Sequence, residues 1–399
     1  MSKRVIWIGT YADDDYMSDL KGNTYIQFAA NRVQGYYLEA LKKNKDIELD
    51  VWSALVTLPY PNSKYLKLPY REVMLDNGTI VRNVGFLNIK YFSILSQTRS
   101  LKNAMKKRNE KLDGAIVIVY SMRSPYLKLA HKIKECYRNI TVINIVPDLP
   151  DYMSSEKSLV RSILMRYNKW LLKREQRYVD GFVLYAKAMA EELNITKEGY
   201  IVLEGLIDGQ IKPLQNRQSG RAKVCLYAGG VYVAYGVQSL VEGFILAGIP
   251  NVELHIYGHG SYVEELKRIS EQHPEVKYQG CVEPEEVYQK MQSADLLINP
   301  RSPLETFTKY SCPSKVFEYM LSGTPVAMTK LEGIPDEYFN YVYTINGESK
   351  EDIAVSLKRV FEEPEESRLK KGIRAREFLL KNKTSDIQVR KLLDFVEKL

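Results

Sequence analysis

Short apolar runs that end abruptly at glycine, proline or a polar residue recur along this chain, and a helical pattern follows most of them. Val5 to Ile8 ends at Gly9, Gly114 to Tyr120 at Ser121, and Thr141 to Val146 at Pro147-Asp148. Further on, Val224 to Tyr227 runs into Ala228-Gly229-Gly230, Val252 to Tyr257 into Gly258-His259-Gly260, and Leu296 to Asn299 into Pro300-Arg301. Mostly apolar runs of this length suit strands buried on both faces. Helix-period segments lie between them, among them 27–42, 127–136, 237–247 and 262–272. The alternation predicts an α/β protein with parallel sheets covered on both sides.

The pattern breaks at Asp208 to Ala222, a polar stretch with proline and glycine that reads as a linker. A chain of 399 residues therefore divides into an N-terminal Rossmann-like domain, 1–207, the linker 208–222, and a second Rossmann-like domain, 223–383. Two such sheets are expected to face each other across a cleft, each wall holding its own ligand. A net charge of +8 is too small for a nucleic-acid partner. The four cysteines are scattered and the four histidines show no cluster, so no structural metal or disulfide is expected. The N-terminus has no signal-peptide core, and no run approaches the roughly 20 apolar residues of a membrane span. The expectation is a cytoplasmic protein whose membrane contact is peripheral, at the inner face. Residues 158–178 are both amphipathic and basic: they could lie on a membrane, or pack on the core with a solvated basic face.

One stretch stands out for chemistry. Residues 305–324 pass from a polar loop through Pro313 into a helical pattern that stops at Gly323. Lys315 and Glu318, three apart, share a face. A helix N-terminus offers free N–H groups and partial positive charge, and Ser314 and Lys315 stand there, so phosphate is a fitting ligand. Glu318, one turn in, could accept from ribose hydroxyls. An ordinary surface ion pair is the competing reading. Ligands of open α/β sheets bind at carboxyl strand ends. Those ends carry Gly229, Gly230, Gly258 and Arg301 in the second half, and Gly9, Ser121 and Asp148 in the first. Gly9, Ser121 and Asn31, in the helix after the first strand, are the acceptor-side candidates. A full dinucleotide fingerprint and a Walker sequence are both missing.

With YAGGVYVAYGVQSLVEGF (227–244), LHIYGHGSY (254–262), SCPSKVFEYMLSGTPV (311–326) and GIPDEYF (333–339) in this order, the chain resembles the family-4 retaining glycosyltransferases of the GT-B fold, in the PSK-FEYM variant of bacterial polysaccharide assembly. The resemblance implies transfer of a sugar from a UDP- or GDP-linked donor to a saccharide or lipid-linked saccharide acceptor, without metal or other cofactor. It implies Glu318 at the ribose, Lys315 at the diphosphate, and a last helix, 384–399, that packs back on the N-terminal domain. Three positions depart from the family pattern. Tyr310 stands where the first of two paired glutamates is usual. Val231 and Tyr235 replace an arginine and a lysine, so Arg301, Lys309 and Lys315 are expected to supply the charge. Pro147-Asp148 replaces a His-Asp pair. Lys315, Arg301 and Asp148 are the catalytic candidates, with Lys309, Tyr310 and Ser314 beside the donor. A sugar-nucleotide epimerase and a non-catalytic saccharide-binding subunit are the alternatives.

Overall fold

The computed structural model describes residues 3–22, 24, 27–108, 111–149, 159–208, 213–214 and 222–399, except the side chains of 108 and 159–163. Most of the expected linker, 209–212 and 215–221, lies outside the described residues, as do Ser158 and the side chains that open the basic stretch 158–178. Contacts divide the chain into two compact units. One comprises Met1–Tyr185, Met189–Leu206 and Ser385–Leu399; the other comprises Ile207–Thr384 with Ala186–Ala188.

The first unit is built on β1 (Lys3–Gly9), β2 (Ile47–Ser53), β3 (Lys67–Leu68), β4 (Arg71–Met74), β5 (Ile80–Asn83), β6 (Phe86–Leu87), β7 (Ile116–Tyr120), β8 (Thr141–Val146), β9 (Gly181–Leu184) and β10 (Tyr200–Val202). Its helices are α1 (Asp14–Leu20), α2 (Phe28–Lys43), α3 (Ser93–Arg108), α4 (Ser124–Cys136), α5 (Leu159–Gln176) and α6 (Ala188–Leu193), the last beginning at Ala188 of the other unit. The main sheet runs β10-β9-β8-β7-β1-β2-β5-β4. Every pairing in it is parallel except that of the edge strand β4 with β5. The fully apolar runs form its centre: Val5 to Ile8 and Val117 to Val119 are wholly buried.

One expectation changes. The sheet is not purely parallel because β4 and β5 are joined by the turn Asp76-Asn77-Gly78, too short for a crossover. Gly78 adopts a φ of 77° there. In addition β5 and β6 are separate strands, parted at Gly85, where a Cβ would lie 2.9 Å from the Tyr70 nitrogen. The acidic loop after β1 contains a short helix, α1, capped by Asp13, which accepts from the Tyr16 N–H at 3.1 Å. Arg71 holds Asp13 at 3.0 Å and Asp19 at 3.1 Å, which accounts for part of that acidic run.

The second unit carries β11 (Lys223–Ala228), β12 (Val252–Tyr257), β13 (Val276–Gly280), β14 (Leu296–Asn299), β15 (Val326–Thr329) and β16 (Tyr343–Ile345). Its helices are α7 (Val237–Ala247), α8 (Val263–Gln272), α9 (Pro284–Ser293), α10 (Ser314–Leu321), α11 (Lys350–Glu362) and α12 (Glu365–Asn382). All strands are parallel, in the order β13-β12-β11-β14-β15-β16. Separate apolar clusters cover its two faces, one around α7 and α11, the other around α10 and α12. The chain's last helix, α13 (Ser385–Val396), belongs to the first unit and packs on α2. Lys43 pairs with Asp386 at 2.9 Å, and the buried Gln388 amide donates to the Gly205 carbonyl at 2.7 Å. Gly181 leaves room for Phe395 and Leu399, whose atoms would lie 2.7 Å from a Cβ.

Candidate functional site

In the second unit the strand order reverses between β11 and β14, so their carboxyl ends flank a crevice of the kind that binds ligands in open α/β sheets. The loops leaving β11 and β12 are interlocked. The Gly229 N–H donates to the Tyr257 carbonyl at 3.0 Å, and the Val231 N–H to the His259 carbonyl at 2.8 Å. A Cβ on Gly258, whose φ is 131°, would lie 1.8 Å from the Gly229 oxygen. Gly258 is thus required by loop-on-loop packing, whatever ligand lies beyond. Gly229 and Gly230 sit under Tyr227, Tyr232 and Tyr235, with the Tyr227 hydroxyl donating to the Gly230 carbonyl at 2.8 Å. Val231 is buried in the apolar cluster and contributes no polar group.

Arg301, just past β14, has a confined environment. Its guanidinium lies 4.5 Å from the Tyr235 ring centre and 5.2 Å from that of Phe307. Loss of solvation lowers its pKa from the ordinary arginine value, with nearby Tyr235 and Tyr227 acting the other way; the side chain remains a cation. Among the described residues no carboxylate pairs with it. Tyr235, which occupies the place where the resemblance leads one to expect a lysine, therefore serves to position a cation instead of supplying one.

Helix α10 starts at Ser314 beside this loop. Pro313 is its N-cap and no side chain caps the first turn, so backbone N–H groups are left for a ligand or solvent. Its apolar face, Val316, Phe317 and Met320, is buried. Tyr319, also buried, latches the helix to β11: its hydroxyl accepts from the Ala228 N–H at 2.8 Å and lies 3.1 Å from the Ala228 carbonyl. Lys315 and Glu318 are half-exposed and form an ion pair at 3.2 Å. An exposed pair of this kind adds little stability, so it costs little to open for a ligand. Lys309 pairs with Glu332 at 3.4 Å and lies 5.9 Å from the Tyr310 ring centre, so its charge is partly answered. Ser314 is exposed and Tyr310 half-buried. A hollow of about 540 Å³ opens next to this loop, lined by Gly236, Ser239, Pro300, Ser302, Glu305 and Glu348.

In the first unit the order reverses between β1 and β7, placing Gly9 and Ser121 at neighbouring strand ends. Gly9 is confined: a Cβ would lie 2.2 Å from the buried Gln34 oxygen, which accepts from the Trp7 indole and the Thr10 N–H. Asn31 is committed to the backbone. Its Oδ1 accepts from the Ala12 N–H at 2.9 Å and its Nδ2 donates to the Ala12 carbonyl at 3.0 Å, which clamps the loop after β1. Ser121 has a φ of 74°, a left-handed conformation that a non-glycine residue adopts at a cost. Asp148, after β8, is exposed, yet the surrounding protein removes enough solvent to raise its carboxyl pKa above the ordinary value. A smaller hollow of about 180 Å³ lies by the loops after β7 and β8, lined by Met122, Leu149, Leu172 and Leu193 with Lys169 and Lys173.

The structure thus groups Gly229, Gly230, Arg301, Ser314, Lys315 and Glu318 at one end of the second sheet, and Gly9, Ser121 and Asp148 at the equivalent end of the first. Sequence reasoning missed the Tyr235–Phe307 cage and the Tyr319 latch. Tyr319 lies three residues after Val316, on the buried side of α10, and that spacing was the available signal. The cage had none, because its rings come from separate segments. Among the described residues no group of three or more His, Cys, Asp or Glu side chains could hold a metal ion, and no helix is long and apolar enough to cross a membrane.

Residues 222–363 match the family model described as "Glycosyl transferases group 1". No curated protein matches the chain at a significant level. Among solved structures the chain is similar to sucrose-phosphate synthase (tll1590) from Thermosynechococcus elongatus, with 11% identity, 99% of this chain and 98% of that one covered, and a TM-score of 0.67. It is similar to the lipopolysaccharide outer core galactosyltransferase WaaB in apo form, with 15% identity, coverage of 99% and 100%, and a TM-score of 0.65. It is also similar to Anabaena Alr3699/HepE in complex with UDP, with 13% identity, coverage of 99% and 100%, and a TM-score of 0.64. At these identities the likeness establishes the fold, which is GT-B, and the family match lies within the unit that carries Arg301 and α10.

Proposed function

We propose that this GT-B chain is a retaining glycosyltransferase of the family-4 type, which moves a sugar from a UDP- or GDP-linked donor to a saccharide acceptor. The carrying observation is Arg301, a desolvated cation without a carboxylate partner among the described residues, held between two aromatic rings at a switch-point strand end. Burying a charge without a partner is expensive, and an anionic ligand would offset that cost. The uncapped start of α10 and Lys315 stand in the same unit and add further positive potential. The match of residues 222–363 and the UDP bound to one similar structure support a nucleoside diphosphate as that anion.

The reaction displaces a nucleoside diphosphate from an anomeric carbon. Charge builds on the departing phosphate oxygen, and fixed donors placed there lower the barrier most. In this reading Arg301, Lys315 and the N–H groups at Ser314 meet that charge without a metal, and Glu318 receives the ribose hydroxyls once its pairing with Lys315 opens. The acceptor hydroxyl attacks on the face the donor phosphate leaves, and that phosphate takes its proton, so the anomeric configuration is kept. The first unit takes the acceptor, and Asp148 orients it. The apolar hollow with Lys169 and Lys173 at its border suits a lipid-linked, phosphorylated saccharide of the kind used in surface polysaccharide synthesis.

The test is a panel of UDP- and GDP-sugars followed for nucleotide release, with the donor recovered and its stereochemistry checked. Slow release of UDP or GDP from one donor supports transfer. Epimerised donor would make the protein an epimerase, and failure to bind any donor would leave only a saccharide-binding role.

A further inference from the structure

We propose that Glu305 and Glu348 select the donor's sugar, so that this protein takes neutral or amino sugars and refuses uronic acids. The inference rests on the nucleotide-sugar reading and narrows it. Both carboxylates line the hollow of about 540 Å³ in the second unit, a volume within the range of small-molecule sites. The hollow adjoins the Arg301 cage through the chain itself. Pro300 and Ser302, which line it, flank Arg301, and Gly236 follows Tyr235, whose ring holds the guanidinium. Glu305 stands two residues before Phe307, the second ring of the cage. A diphosphate held on Arg301 leaves its sugar within reach of this hollow.

The polar lining decides which sugar fits. Among the described residues no lysine or arginine lines the hollow. Lys350, next in sequence to its rim, is engaged with Glu242 at 3.5 Å, and Lys309 is engaged with Glu332 at 3.4 Å. Glu305 is half-buried, and among the described residues no side chain pairs with its carboxylate. Glu348 is held through one oxygen by the Ser302 hydroxyl, which itself accepts from the Leu304 N–H at 3.1 Å. Its other oxygen is left for a ligand. Donors stand opposite these acceptors. Ser239 brings a half-buried hydroxyl, and α7 opens at Gly236 without a capping side chain, so N–H groups of its first turn are unfilled. A sugar hydroxyl both donates and accepts, so a polyhydroxylated ring satisfies both sets. Its hydrogen bonds to ionised acceptors are about twice as strong as neutral ones. An acidic sugar meets two carboxylates, and the helix end offsets only about half of one charge. Like charges brought together in this way suppress the wrong ligand, whereas the ammonium of an amino sugar is attracted.

The experiment is calorimetry on the full chain with UDP and GDP, then with matched donors that differ only at C6. The pairs are UDP-glucose with UDP-glucuronic acid, and GDP-mannose with GDP-mannuronic acid. For the nucleotide that binds, the uronic donor is expected to bind at least about tenfold more weakly than its neutral counterpart. Glu305→Gln and, separately, Glu348→Gln should move that ratio toward one, with the affinity for bare nucleotide and the thermal melt kept. Glutamine preserves size and removes charge, so a merely structural role would leave the ratio where it was. If the nucleotide binds and the two members of its pair bind equally, or if the ratio is untouched in both variants, the selection is overturned and the donor reading stands. If neither nucleotide nor any donor binds, the donor reading fails and this inference fails with it.

Discussion

Replacing Arg301 by alanine separates a ligand-binding cation from a merely structural one. If the side chain only packs, its removal deletes two ring contacts, at 4.5 and 5.2 Å, worth about 0.5–2 kcal/mol each for a desolvated cation. Catalysis would then fall only as far as the fold does. If it meets the leaving diphosphate, a larger quantity is at stake. Two unit charges about 4 Å apart attract by about 4 kcal/mol at the effective dielectric of a protein surface. Roughly half of that survives the ligand's own desolvation, which leaves about 2 kcal/mol, or a loss of about 30-fold in kcat/KM. Stability should change little, because the burial cost of the unpaired charge disappears together with the ring contacts. The assay is donor hydrolysis or transfer at subsaturating donor, with UDP and GDP affinity measured by calorimetry on the same variant. Arg301→Lys should recover part of the loss, since it keeps charge and forfeits the planar fork. A variant Arg301→Ala that melts normally and stays within threefold of the parent in both affinity and kcat/KM would refute the assignment.

Three further outcomes are expected. Tyr319→Phe leaves the buried Ala228 N–H without its acceptor and should cost about 1–3 kcal/mol in urea unfolding, together with weaker donor binding. Loss of solvation raises the Asp148 carboxyl above the about 3.9 of a free aspartate, so its ionised fraction falls as pH drops through that raised value. If the carboxylate orients the acceptor, the acid limb of the transfer rate lies above the ordinary aspartate range, and Asp148→Asn removes it; a limb that persists in the variant belongs to another group. Addition of EDTA should leave nucleotide release unchanged, and a rate restored only by a divalent cation would disprove metal-independent chemistry.

Much of the fold was legible because its signals are local. The strands at 5–8, 116–120, 141–146 and 296–299 are mostly apolar runs, and a doubly covered sheet buries such runs on both sides. The start of α10 was legible from Pro313 and the periodicity after it. The edge strand β4 was missed because Arg71 to Met74 alternates exposed and half-buried residues, and its hairpin is defined by a turn that looked like any polar loop. Asn31 was read as an acceptor contact, although both ends of its amide close on Ala12 nineteen residues away.

The sequence alone determined where the central strands stop and which residues therefore stand at a ligand-facing end, because strand and helix periods are properties of neighbouring residues. Which of those residues share a site was decided only by the tertiary structure. Strand order sets β11 beside β14, though about seventy residues separate them, and so carries Arg301 to the glycine loop. Tyr235 and Phe307 then close on its guanidinium, and Tyr319 fastens the helix whose open N-terminus stands beside that loop. These contacts depend on distance in space, which no periodicity along the chain encodes.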